Sequence, residues 1–165
     1  MKEIDLTIPF GLSNITLGQY QDYLKILDGW DEEDEVYLQL KILQIFCKMS
    51  PEDVQRIKLK DFESTIIHIT ELFKQETPLI RHFTMTGSDG ERGERKVEFG
   101  FIPKLDDISF GEYIDLENYL GDWQQMHKAM AVLFRPVYHK KKQFYLIDKY
   151  EGSAKYSQMM TDMLL

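Results

Sequence analysis

The sequence predicts an α+β fold, mainly α-helical, in a single domain over residues 1–165. Three observations carry that expectation. Apolar residues recur at three- and four-residue steps through much of the chain, which lays them along one side of a helix. Two β-like runs, residues 79–85 and 96–102, flank a stretch rich in glycine and charge, the pattern of a central β-hairpin. Residues 15–22 (ITLGQYQD) and 108–115 (ISFGEYID) then repeat one eight-residue formula, which suggests a duplicated strand–helix–helix unit. On that reading residues 1–49 are the first unit, 50–95 are inserted helices and hairpin, and 96–165 are the second unit with a C-terminal helix.

Each element follows from local pattern. Residues 3–8 alternate polar and apolar and end at Pro9, as a short half-buried strand does. From Thr16, residues Leu17, Tyr20, Leu24 and Leu27 share one helix face. The acidic break 28–35 leads into an apolar helix through Val36, Leu40, Leu43 and Phe46. Ser50-Pro51-Glu52-Asp53 is a helix start: a serine cap, proline in the first turn, and acids at the positive helix end. A helix follows over about 61–74, then the hairpin, whose tip is formed by residues 87–94. Residues 109–120 and 123–134 read as two more helices, the second halted by Pro136. Residues 144–147 suggest a strand and 153–165 a terminal helix, with Tyr156, Met159, Met160 and Met163 at helical spacing. Those methionines suit a core first, with an adaptable docking surface as the alternative.

The repeated octet is a helix start with every part in place. With Thr16 and Ser109 as caps, Gln19 and Glu112 fall three residues later and complete a capping box in each copy. Ile15 and Ile108 precede the caps and reach toward Tyr20 and Tyr113, the hydrophobic staple. Leu27 and Trp30 match Leu120 and Trp123 in register, and Ile8-Pro9 and Ile102-Pro103 precede the two caps. Convergence on a common helix-start recipe is the competing explanation. Gly18 and Gly111 sit in the first turns, where glycine weakens a helix, so a close backbone approach is expected there.

Bulk properties bound the function. Hydrophobic residues at 43% and aromatics at 13% suit a folded globule. A net charge of −8 disfavours nucleic acid as a general partner. Cys47 is the one cysteine, so no internal disulfide forms, and its apolar surroundings point to a buried thiol. The start MKEIDLTIPF does not read as a secretory leader, and no apolar run approaches the ~20 residues that span a bilayer, so a soluble protein in a reducing cytoplasm is expected.

No motif carries a reaction. His68, His82, His127 and His139 lie in different elements without metal-ligand spacing, and His68 reads as a hydrogen-bonded structural residue. The acidic run 31–35 lacks the alternation and glycine of a calcium loop, and the glycines of 87–94 lack the order of a phosphate loop. No catalytic, cofactor-binding or metal-binding residues are expected, and no cofactor. Two basic spots remain. Arg135 suits the carbonyl end of a helix. His139-Lys-Lys-Lys142 lies beside Tyr138, Phe144 and Tyr145, which reads as a solvated linker, a contact for an acidic protein, or a grip on single-stranded nucleic acid.

Residues 109–117 (SFGEYIDLE), then Trp123, then 130–137 (MAVLFRPV), resemble a pattern in small tailed-bacteriophage proteins. These are baseplate hub assembly or tail assembly chaperone proteins of the T4-like and crAss-like phage groups. The resemblance spans residues 108–137. It implies a non-enzymatic factor that binds phage tail or baseplate proteins in the cytoplasm of an infected host. A structural subunit of the virion, at the head–tail connector, in the tail hub or as internal cargo, is the alternative. Phe110, Tyr113, Trp123 and Arg135 are the candidate partner contacts, although core packing would explain the aromatics equally well. The first octet lacks the Arg-Pro ending, so such a contact belongs to the second unit.

Overall fold

A computed structural model of the chain describes residues 4–31, 34–89 and 93–165. The fold is α+β and mainly helical, as the periodicity predicts, with seven α-helices and a four-stranded antiparallel sheet among the described residues. The chain divides into two compact units. The first runs to Thr77 and takes in Leu164–Leu165; the second is Pro78–Met163. The division falls between Thr77 and Pro78, just ahead of the hairpin.

The first unit is helical. Helix α1 (Leu17–Asp28) starts at the predicted capping box: Gln19 N–H donates to Thr16 Oγ1 at 3.1 Å, and Thr16 N–H to Gln19 Oε1 at 3.0 Å. Helix α2 (Glu35–Phe46) follows, then the four-residue α3 (Pro51–Val54) on its Ser50 cap, then α4 (Leu59–Leu72). Their apolar faces enclose Ile15, Leu43, Phe46 and Ile69, and Tyr20, Tyr23, Phe46 and Phe73 form a ring cluster with centroids 5.2–6.2 Å apart. Cys47 is buried as expected. His68 Nε2 lies 2.8 Å from the Pro9 carbonyl, the structural role expected of it.

Residues 4–10 form no strand, contrary to the alternation. Strand character needs a ladder partner, and no sheet strand is described in this unit. Ile4 and Leu6 still pack on the core, so the apolar positions were real and the conformation was not. The backbone of Ile15 and Thr16 pairs instead with the chain end: Leu165 N–H donates to the Ile15 carbonyl at 3.0 Å.

The second unit holds the sheet, in order β1-β2-β3-β4. Strands β1 (His82–Asp89) and β2 (Gly93–Phe101) form the predicted hairpin, in a register running from His82↔Gly100 to Asp89↔Gly93. Residues 90–92 of its tip lie outside the described residues. Helix α5 (Phe110–Tyr119) comes next, then a 3-10 turn at Trp123–Gln125 and helix α6 (Met126–Leu133).

Strand β3 (Phe134–Lys141) then begins where the sequence predicts only a helix stop and a linker. Pro136 sits inside it, paired with Phe99 across a short three-residue ladder. Strand β4 (Phe144–Ile147) is the predicted one. Gly100 is glycine for space: a Cβ there would lie 2.9 Å from both the Tyr145 ring and Val137. Helix α7 (Ala154–Met160) is shorter than predicted; with Phe99, Phe101, Phe134 and Met160 at its centre, the core takes in Met159 and Met163 as well. The methionines are core.

The two octets are therefore equivalent as helix starts and not beyond. Both capping boxes form, while only the second copy is preceded by a strand. The tryptophans differ too: Trp30 has a buried indole nitrogen with no partner among the described residues, whereas Trp123 is 49% exposed.

Candidate functional site

The side chains singled out in the sequence divide into a buried network and an exposed face, both built on α5. The network starts at the cap. Ser109 N–H donates to Glu112 Oε2 at 2.7 Å, and Glu112 N–H to Ser109 Oγ at 3.3 Å. The second carboxylate oxygen, Oε1, meets Arg135 Nη1 at 2.6 Å, with the two side chains only 8% and 10% exposed. Arg135 also donates to two backbone carbonyls, through Nε to Asp148 at 2.7 Å and through Nη1 to Val132 at 2.9 Å. Its guanidinium lies 5.5 Å from the centre of the Tyr150 ring, and the Tyr150 hydroxyl donates to Asp115. Ser109, Glu112 and Arg135 thus satisfy one another, and Asp115 is held by Tyr150.

Arg135, a candidate contact in the sequence, is thus 8% exposed as a whole residue and already paired. Its charge is spent inside the second unit, tying the start of α5 to the α6–β3 junction. Burial alone would push the Glu112 carboxyl up; hydrogen bonds from Ser109 and Arg135, with the Arg135 charge, outweigh it and hold the carboxyl below its ordinary range. The Tyr150 hydroxyl moves the other way, raised by burial and then by its bond to Asp115. These shifts belong to a satisfied structural cluster.

The same geometry explains why the octets differ at one position. Gln19 uses its oxygen on its own cap and its amide nitrogen on the Ile45 carbonyl, 2.7 Å away at the end of α2. Glu112 uses one oxygen on its cap and the other on a cation. Each residue caps its helix and ties it to a neighbouring element. A carbonyl target demands a donor, hence glutamine; a guanidinium demands an acceptor, hence glutamate.

The other three candidates lie outside. Phe110 is 78% exposed, Tyr113 48% and Trp123 49%. Ile114 and Leu120 add to them, at 40% and 48%. Phe110, Tyr113 and Ile114 stand at i, i+3 and i+4, so they are neighbours on one side of the helix. Leu116, further round the helix, is buried with Ala129 and Val132. Nor does Gly111 sit against another backbone: a Cβ there would meet nothing within 4 Å. The expected close approach is absent at that position.

Two shallow clefts adjoin this region. One, of about 180 Å³, is lined by Arg135, Asp148, Lys149, Glu151, Lys155 and Tyr156 among others. The other, of about 340 Å³, is lined by residues that include Asp107 and Ile108 ahead of α5, Glu112 within it, and Phe144 to Ile147 of β4. Among the described residues no three His, Cys, Asp or Glu side chains converge as metal ligands, and no helix is long and apolar enough to cross a membrane. No protein-family model matches the chain, and neither a curated protein nor a solved structure matches it.

Proposed function

We propose that this chain is a non-enzymatic bacteriophage assembly factor that binds a tail or baseplate hub protein during virion morphogenesis. One observation carries the reading: the outer side of α5 presents Phe110, Tyr113 and Ile114 as an apolar stripe, and Leu120 and Trp123 are exposed just past the end of the helix. Exposed apolar residues scattered singly need no explanation, but a grouped stripe marks a contact. Aromatic anchors at i, i+3 and i+4 are the means by which a helix seats in a partner's groove. The phage setting rests on the resemblance of residues 108–137. Its mechanism is shielding: the stripe covers an apolar surface of the subunit until the correct neighbour displaces it.

The test is affinity capture from infected cells with the wild-type chain and with a Phe110→Ser, Ile114→Ser double variant. Recovery of tail or baseplate proteins by the wild type, lost in the variant, supports the proposal. Equal recovery by both, or recovery of no virion component, overturns it. Mass spectrometry of purified virions separates the two roles: absence fits a transient factor in the host cytoplasm, and stoichiometric presence a structural subunit.

A further inference from the structure

The second unit carries another exposed aromatic surface, opposite in charge to the first. The β3–β4 hairpin exposes Tyr138 at 64% and Phe144 at 59%. Tyr138 falls at an irregularity in the ladder, where Val137 pairs with Ile147 but His139 with Leu146, so β3 holds one extra residue. A bulge of that kind re-aims a side chain away from the regular pleat. Around these rings stand His139, Lys140, Lys141 and Lys142, all exposed. Lys140 is paired with Glu98 at 2.7 Å, whereas Lys141 and Lys142 make no ion pair among the described residues. The apolar side of α5 is bordered instead by acids: Asp106, Glu117 and Asp122 are exposed around it.

We infer that these two surfaces are halves of one self-complementary interface, and that the occupant of each is a second copy of this chain. Both lie in the second unit. Phe144 of the hairpin shares a cleft with Ile108 and Glu112, which lie beside the stripe residues in sequence but on another side of α5. A two-fold axis beside that cleft would set the acidic helix of each copy on the basic hairpin of the other, the arrangement an isologous dimer requires. Charge argues for this pairing and against helix on helix, which would oppose acid to acid in a chain already at −8. Area permits it: complete covering of the exposed parts of the five helix and two hairpin residues would bury at most about 800 Å² per copy, the standard share of a stable interface. Both complementary halves exist on one polypeptide, so nothing else need be supplied. The second copy and the phage partner proposed above claim the same α5 stripe, so partner binding would displace the dimer; sedimentation tests the dimer alone, without any phage protein.

Sedimentation equilibrium on the full chain at ~50 mM salt, from about 1 to 200 μM, is the test. The wild type should pass from monomer to dimer, with self-association weakened in ~0.5 M salt. Lys141→Glu with Lys142→Asp, and separately Asp106→Lys with Glu117→Lys, should each weaken it by at least about tenfold. An equimolar mixture of the two variants should dimerise again, because each charge-altered surface then meets its complement. Aspartate is used at Lys142 because its φ is +55°, a region aspartate tolerates. Far-UV circular dichroism checks folding; if a charge variant misfolds, Phe110→Ser and Phe144→Ser replace it, and association that survives both overturns the inference. A wild type monomeric throughout, or a dimer indifferent to both charge variants, also overturns it.

Discussion

Replacing Glu112 by glutamine isolates the charge of the buried network while keeping its shape. The amide retains one acceptor oxygen where the carboxylate had two, both in use, on the Ser109 N–H and on Arg135. One charge-assisted bond is therefore lost, worth roughly 1.5–3 kcal/mol, and the amide N–H₂ is left facing a cation or the cap. Arg135 is only 10% exposed, and removing the partner of such a buried ion costs about 3–5 kcal/mol. Its two carbonyl acceptors remain, so the lower end applies, about 3 kcal/mol. For a chain of this length that corresponds to a fall of about 6–12 °C in melting temperature. The acid limb adds a second readout. Because the Glu112 carboxyl is held below its unfolded range, its contribution is present above the unfolded pKa and is lost as pH falls through the folded one. Thermal melts from pH 7 to pH 3 should show the variant's deficit shrinking at the acid end. A variant melting within a degree of the wild type at pH 7, or a deficit that does not change with pH, refutes the reasoning.

Three further outcomes follow from the same contacts. Gln19→Glu keeps its capping box but turns a carboxylate oxygen toward the Ile45 carbonyl, so calorimetry should find a loss of about 1–2 kcal/mol. Gly111→Ala adds a methyl group that meets nothing within 4 Å in a helical first turn, and should raise stability by about 0.4–1 kcal/mol in denaturant titration. The Cys47 thiol, pushed up to about 11 by burial, is thiolate in roughly one molecule per thousand at pH 8. Maleimide should label it slowly in the native protein and rapidly in denaturant.

The sequence was legible wherever the determinants were local. Both capping boxes and the Ser50–Pro51 start are set by residues within a few positions of one another, the hairpin by two runs either side of one glycine-rich stretch, and each formed. Strand β3 was not legible, because residues 130–137 are continuously apolar except for Arg135, and such a run does not separate helix from strand. Pro136 then reads as a helix stop when it sits in a strand paired over only three residues. The opening segment erred in the opposite direction, with good alternation and no ladder to join.

At the site, Phe110, Tyr113 and Trp123 could be named but not turned outward, since a helical stripe looks alike on either side until the other elements are placed. The pairing of Glu112 with Arg135 was missed altogether. The available signal was an arginine enclosed by Phe134 and Pro136, where a cation needs a buried acid, and the capping glutamate had an oxygen to spare.

Placing a photo-crosslinking amino acid at Ile114, on the exposed stripe, and at Lys25, on a helix of the other unit, gives the most direct test of partner binding by α5. Irradiation of infected cells followed by mass spectrometry should join the Ile114 probe, and not the Lys25 probe, to a tail or baseplate protein. Adducts to such proteins from neither position, or equally from both, would contradict a docking role for this face.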